Sequence, residues 1–166
     1  MSKGIKFLVM DVDGTLTDGK IYMGAKGEIM KAFSIKDGYG IHDMLPSANI
    51  QPVIITGRSS KIVIRRCKEL GIVHLFQGVS RKIETLCQFI ESQRSSLSEV
   101  AYIGDDLNDM GCMELLKKNG GLVGVPSDAK KETKEVADFI AESKGGDGAV
   151  REFIEYLISI SKSNKK

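Results

Sequence analysis

The chain has 166 residues, 42% of them hydrophobic, enough for one ordinary core and short for two, so a single domain over residues 1–160 is predicted. Net charge is +2, and because Lys162, Lys165 and Lys166 fall in the last five residues the remainder stands at −1, the difference of 2 and 3. That excludes the basic footprint of a nucleic-acid binder, and no apolar run approaches the ~18 residues of a membrane span or forms a leader. A cytoplasmic protein without nucleic-acid or membrane partners is expected, with residues 161–166 as a flexible basic tail.

In chain order, short apolar runs alternate with amphipathic stretches. Ile5–Asp11 reads as the first strand. Lys20–Met23 and Glu28–Phe33 flank the turn Gly24-Ala25-Lys26-Gly27 and read as a β-hairpin over residues 19–33. Lys36 and Asp37 precede a helix that Asp37 is suited to N-cap. Strands follow at Pro52–Thr56, Ile72–Phe76, Val100–Gly104 and Gly121–Val125. Helices are predicted over Lys61–Leu70, Lys82–Ile90, Asp109–Lys118, Lys130–Val136 and Ala149–Ile160, with apolar residues at helical spacing. This alternation predicts an α/β, Rossmann-like three-layer fold in which helices cover both faces of a parallel sheet. Cys67, Cys87 and Cys112 lack zinc-site spacing and are read as free thiols; His74, inside an apolar run, is read as a core or sheet-edge residue.

Ligands of open parallel sheets bind beyond the carboxyl ends of the strands. Here the first run ends in Asp11-Val12-Asp13-Gly14-Thr15, the second in Thr56-Gly57-Arg58 and the fourth in Gly104-Asp105-Asp106-Leu107-Asn108-Asp109, while Lys82 opens the helix after the third. Carboxylates crowded at one rim raise each other's pKa unless a cation lies among them, and Mg²⁺, which favours oxygen ligands and a substrate phosphate, suits the set. Lys82, Thr56 and the Gly57 backbone then have the remaining phosphate oxygens as partners. Taken singly, these acidic residues could merely form turns or cap helices.

Together the four motifs resemble those of the haloacid dehalogenase superfamily of phosphohydrolases. The likeness is strongest to its capless branch containing the 3-deoxy-D-manno-octulosonate 8-phosphate (KDO 8-phosphate) phosphatases, through Lys36-Asp37-Gly38-Tyr39-Gly40-Ile41, Leu75-Phe76-Gln77-Gly78 and Gly145-Gly146-Asp147-Gly148-Ala149-Val150-Arg151-Glu152. The resemblance implies that Asp11 is the nucleophile, becoming an aspartyl phosphate, and that Asp13 protonates the leaving oxygen and later deprotonates the water. It implies Mg²⁺ held by the carboxylates of Asp11 and Asp105 and the backbone carbonyl of Asp13. Gly14, Thr56, Gly57 and Lys82 would bind phosphate, and Asp106 and Asp109 would support Lys82 or a metal-bound water.

Relatives with a cap domain insert it between the first two motifs or between Lys82 and the fourth. Only 21 residues separate Lys82 from Gly104, and the 40 between Thr15 and Thr56 are used by the hairpin and a helix, so no cap is expected. The resemblance implies a homotetramer in which hairpins let each subunit cover its neighbour's site; the alternative is a hairpin folded over its own site. Arg58 and Arg66 suit the carboxylate of an ulosonic acid, and relatives place the Lys36–Asp37 loop at the site entrance. Arg58 stands where relatives selective for nine-carbon ulosonate 9-phosphates carry an acid, which favours the eight-carbon substrate and a place in lipopolysaccharide precursor synthesis. Rival readings are a nine-carbon ulosonate phosphatase and a noncatalytic oligomerisation module of a sugar-nucleotide synthetase. The intact set of Asp11, Asp13, Lys82 and Asp105 speaks against the module.

Overall fold

Both faces of the first strand must be covered, because all four of its residues are apolar and buried. In the computed structural model, which describes residues 4–163, β1 (Phe7–Met10) lies near the middle of a sheet and sends Phe7 and Val9 to one core and Leu8 and Met10 to the other. It pairs in parallel with β4 (Gln51–Ile55) on one side and β6 (Val100–Ile103) on the other. With β5 (His74–Phe76), β7 (Leu122–Val125) and β8 (Phe139–Ile140) the order is β5-β4-β1-β6-β7-β8, all parallel. The sequence predicts five of these strands. The sixth, β8, is two residues long and has no periodicity to read.

β2 (Tyr22–Gly24) and β3 (Gly27–Met30) form the separate antiparallel hairpin; β2 starts two residues later and β3 ends three residues earlier than predicted. The chain then enters α1 (Ile35–Tyr39), a π-turn at Gly40–Met44 and α2 (Leu45–Ser47). Ser34 is the N-cap of α1, accepting a hydrogen bond from the Lys36 N–H, so Lys36 and Asp37 lie inside the helix, not before it.

Four longer helices follow: α3 (Lys61–Glu69), α4 (Lys82–Ser92), α5 (Met110–Lys118) and α7 (Ala149–Ser163), with the short α6 (Lys131–Val136) between the last two. The stripe Val150, Phe153, Ile154 and Leu157 seats α7 on the same core as Val63 and Cys67 of α3. Leu86, Phe89 and Ile90 of α4 and Cys112, Met113 and Leu116 of α5 fill the opposite face. α7 runs three residues past its predicted end at Ile160, so the tail expected over 161–166 begins in helix; residues 164–166 lie outside the described residues. Cys67 and Cys112 are buried free thiols and Cys87 is exposed. His74, on the edge strand β5, lies 3.2 Å from Gln51 Oε1. Among the described residues no helix is long and apolar enough to cross a membrane.

Candidate active site

The chemistry collects where β1, β4 and β6 end. A cleft there is lined by Asp11, Asp13, Thr56, Gly57, Arg58, Asp105, Asp106 and Asn108. Asp11 is the first residue beyond β1 and is 5% exposed; its backbone N–H donates to the Ile103 carbonyl, which fixes the loop to β6 at 3.1 Å. Gly14 follows in the left-handed region at φ +91°, and a Cβ there would stand 2.1 Å from Asp105 Oδ2, so only glycine lets the first and fourth motifs approach.

Lys82 reaches the rim from below. It lies one turn before Leu86 on the buried stripe of α4, so the packing that seats the helix also carries the ammonium under the strand ends. Its Nζ is 3.0 Å from Asp11 Oδ1 and donates to Asp109 Oδ1 at 2.8 Å, with the lysine side chain 3% exposed. Asp109 is saturated. The Tyr102 hydroxyl also donates to its Oδ1 at 2.7 Å, and the backbone N–H groups of Asp105 and Asp106 donate to Oδ2 at 3.0 and 3.3 Å. Asp109 thus binds the lysine to the fourth-motif loop, while Asp106 caps the 3₁₀ turn Leu107–Asp109, accepting from the Leu107 N–H. The Thr15 hydroxyl donates to Asp105 Oδ1 at 3.0 Å.

These contacts set the electrostatics. Burial, aided by the Asp109 charge, pushes the Asp11 carboxyl up to about 6 against the opposing pull of Lys82. Asp105 rises to about 7 through burial and then the charges of Asp11 and Asp109. Burial alone would lower Lys82, but Asp109 and Asp11 outweigh it and hold the ammonium charged beyond its ordinary range. Two carboxyls reluctant to ionise, facing one cleft, are what a divalent cation would relieve. One oxygen each from Asp11, Asp105 and Asp109 lies within 4.8 Å of the others, and a set made only of carboxylate oxygens suits a hard ion. Because both Asp109 oxygens already accept two hydrogen bonds, Asp11 and Asp105 are the carboxylates that fit Mg²⁺. The Asp13 side chain, also in the cleft, pairs with Lys31.

Lys31 and its neighbour Glu28 are absent from the expected site. Lys31 Nζ pairs with Asp13 Oδ1 and lies 3.0 Å from Glu28 Oε2; Arg58 stands 3.8 Å from Asp13 and 3.6 Å from Glu28. The hairpin therefore places two charged side chains over its own subunit's Asp13. Tyr102 was equally hidden, because a tyrosine inside Val-Ala-Tyr-Ile reads as core.

Three expected substrate residues do not line this cleft. Asp37 is 2% exposed, and its Oδ1 accepts from the Arg151 N–H at 2.9 Å, capping the start of α7 across the chain. Lys36 is exposed on α1. Arg66 packs its guanidinium 5.5 Å from the Phe33 ring centroid, donates to the Ser34 carbonyl at 3.4 Å and lies 3.4 Å from Glu69 Oε2. Arg151 pairs with Glu155 at 2.7 Å.

An aspartate held by a buried lysine, on an acidic rim at the carboxyl end of a parallel sheet, defines a hydrolase of the phosphoryl-accepting aspartate class. A family model for haloacid dehalogenase-like hydrolases matches residues 69–154, and the chain belongs to that family. The chain is 45% identical over 157 residues to the 3-deoxy-D-manno-octulosonate 8-phosphate phosphatase KdsC of Salmonella typhi, covering 95% of this chain and 81% of that one. A crystal structure of the Yersinia pestis phosphatase of the same name superposes with a TM-score of 0.86 at 40% identity, covering 96% and 83% of the two chains. The Moraxella catarrhalis enzyme, solved with magnesium, phosphate and KDO, gives a TM-score of 0.84 at 38% identity over 98% and 94%.

Proposed function

We propose that this chain is a Mg²⁺-dependent phosphoric monoester hydrolase that converts 3-deoxy-D-manno-octulosonate 8-phosphate to KDO and phosphate. The observation that carries the reading is the buried Asp11–Lys82–Asp109 line beside Asp105, with Asp13 at the mouth of the same cleft. Likeness along nearly the full chain to phosphatases of that name supports the substrate.

Asp11 Oδ attacks phosphorus in line and becomes an acyl phosphate, while the P–O bond to the sugar breaks. Asp13 gives its proton to the departing alkoxide, then takes one from the water that attacks the acyl phosphate, which returns both carboxyls to their starting states. Lys82, Thr56 and the Gly57 backbone bind the transferring oxygens, whereas the Gly14 N–H, expected to join them, donates to Thr17 Oγ1 at 3.3 Å; Lys82 can do so because Asp109 holds it. When bound by Asp11, Asp105 and the Asp13 carbonyl, Mg²⁺ supplies charge neutralisation and favours the ionised nucleophile. Arg58, beside Asp13, contacts the leaving sugar.

The same reading makes the protein a cytoplasmic enzyme of lipopolysaccharide precursor synthesis and a homotetramer. Exposed Met23, Ile29 and Met30 on the hairpin support subunit contacts there. Lys36 and Arg66, outside their own subunit's cleft, then serve a neighbour's site.

Phosphate release from KDO 8-phosphate, from nine-carbon ulosonate 9-phosphates and from hexose phosphates, with and without Mg²⁺, tests the substrate. Selective, Mg²⁺-dependent release from KDO 8-phosphate is expected; equal slow rates on all would remove the specific claim. Light scattering at micromolar protein tests the tetramer, and an efficient monomer would overturn the shared site.

A further inference from the structure

We propose that Lys31 is a positioning residue for Asp13, so that the hairpin supplies the proton-transfer half of its own subunit's site. This rests on the phosphatase reading above.

Lysine is almost never fully buried unless paired. The Lys31 side chain is 1% exposed although it stands on a two-stranded hairpin outside the main sheet, and both its partners are carboxylates, Asp13 and Glu28. Glu28 is itself held: the Ser60 hydroxyl donates to its Oε1 at 2.6 Å. Ser60 belongs to the segment after β4, and its backbone N–H donates to the Gln77 side chain. The run Asp13–Lys31–Glu28–Ser60 therefore ties the first-motif loop, the hairpin and the second-motif loop together. Arg58 makes only longer contacts with the same two carboxylates and is half exposed, so it is free to turn to substrate.

The need for such a brace follows from the task. A proton donor acts only if its carboxyl lies within hydrogen-bond reach of the leaving oxygen, and Asp13 sits on the exposed side of its loop, 19% exposed at its side chain. Of the charged groups within ion-pair distance of Asp13, Lys31 makes the short contact. Without it, the carboxylate rotates among solvated rotamers and the productive one becomes a fraction of the population.

The consequence is selective. Departure of a sugar alkoxide needs the proton; departure of p-nitrophenolate does not. kcat/KM reports the steps up to phosphoryl transfer, before the water step that Asp13 serves for every substrate. We therefore expect Lys31→Met to lower kcat/KM on the best aliphatic ester by about 10- to 100-fold, less than the roughly 100- to 10,000-fold of losing a general acid outright because Asp13 itself remains, and to change kcat/KM on p-nitrophenyl phosphate by less than about 3-fold. Lys31→Arg should restore part of the loss. Glu28→Gln, which keeps the hairpin's shape, should shift the same ratio in the same direction by a smaller factor. Equal losses on both esters, or none on either, would overturn the proposal. If wild type prefers another aliphatic phosphate to KDO 8-phosphate, the substrate reading fails while the ratio still decides the role of Lys31. A misfolded Lys31→Met, seen by circular dichroism, leaves Lys31→Arg and Glu28→Gln to decide by the same ratio, and an unchanged ratio in both would refute the idea.

Discussion

Replacing Tyr102 by Phe removes one oxygen from the centre of the molecule and nothing else. The ring is fully buried, so the packing is preserved, and the hydroxyl's partner is Asp109 Oδ1 at 2.7 Å. Asp109 keeps three of its four donors: Lys82 and the Asp105 and Asp106 amides. The loss is one hydrogen bond to a charged acceptor, about 1.5–3 kcal/mol. The lower end applies, because Lys82 still serves the same oxygen. For a chain of this size that corresponds to a fall in Tm of roughly 3–8 °C. Turnover should fall by less than about tenfold, since Lys82 remains between Asp11 and Asp109 while the carboxylate that anchors it gains one degree of freedom. Differential scanning fluorimetry and phosphate release on the same preparation measure both. An unchanged Tm would refute the view that Asp109 depends on four donors; abolished turnover at normal stability would mean that Tyr102 acts on substrate directly.

Asp11→Asn keeps the shape of the proposed nucleophile but cannot form the acyl phosphate, so turnover should vanish with a normal circular dichroism spectrum; activity in the folded variant would sink the mechanism. Gly14→Ala should lower turnover by at least about 100-fold, because its Cβ would meet Asp105 Oδ2 at 2.1 Å in a backbone region that side chains avoid; steady-state rates on a soluble preparation decide it. Asp37→Asn keeps the acceptor for the Arg151 N–H and removes a charge whose carboxyl burial pushes up to about 6, so kcat/KM should stay within about threefold of wild type, whereas Asp37→Ala should cost about 1–2 kcal/mol in urea unfolding. A large kcat/KM loss in Asp37→Asn would return this residue to substrate binding. Asp11 and Asp105 ionise near 6 and 7 in the folded chain against 3.8 unfolded, so the folded chain binds more protons across that window. Their contribution to stability is therefore full below about 4 and is lost as pH rises through 6 and 7, when Mg²⁺ is absent. Mg²⁺ binds the ionised pair, so the Tm gain it brings should be larger at pH 8 than at pH 5; an equal gain at both would contradict the assignment of these two carboxylates to the ion.

Where the site was legible in the sequence, a residue's position followed from its place in a regular element. β1, β6 and Val53–Ile55 of β4 are buried and so appear as unbroken apolar runs, and the polar residue after each run must fall on the rim. Lys82 was legible because it opens a helix with an unambiguous apolar stripe. What stayed hidden depends on contacts between segments far apart in the chain. Asp37 resembles an N-cap of the helix that follows it, but Ser34 takes that role and Asp37 caps a helix more than a hundred residues away. Lys31 and Glu28 read as the solvated charges of a hairpin, and only the folding of that hairpin against the second-motif loop turns them inward. Arg66 depends on distant segments in the same way: its guanidinium lies over the Phe33 ring and donates to the Ser34 carbonyl, contacts that the spacing of its own helix does not show.

The acidic rim also explains why the site needs so much of the fold to hold it. Asp11 is raised by burial first and Asp109 second, and Asp105 by burial and then by Asp11 and Asp109, so the loops that carry them would relax apart if they were only tethered to their strands. Two devices oppose this. Lys82 provides the buried cation, fixed by the packing of α4, and Gly14 removes the side chain that would keep the loops from touching. A third acts from behind: a Cβ on Gly145 would stand 1.9 Å from the Gly14 carbonyl, and the Gly146 N–H donates to the Thr15 carbonyl at 3.0 Å, so the glycine-rich segment before α7 backs the first-motif loop. Each device holds main chain or a buried side chain in one place before any ligand arrives. Pre-organisation of this kind is what lets fixed charges stabilise a phosphoryl transition state without reorganising during the reaction. Gly145→Ala, remote from the reacting atoms, should therefore lower kcat on every phosphate ester by a similar factor, about tenfold or more, and should leave the ratio of aliphatic to aryl rates unchanged. Steady-state kinetics on both ester types measure it, and a selective loss on the aliphatic ester would show that the segment serves Asp13 and not the whole loop.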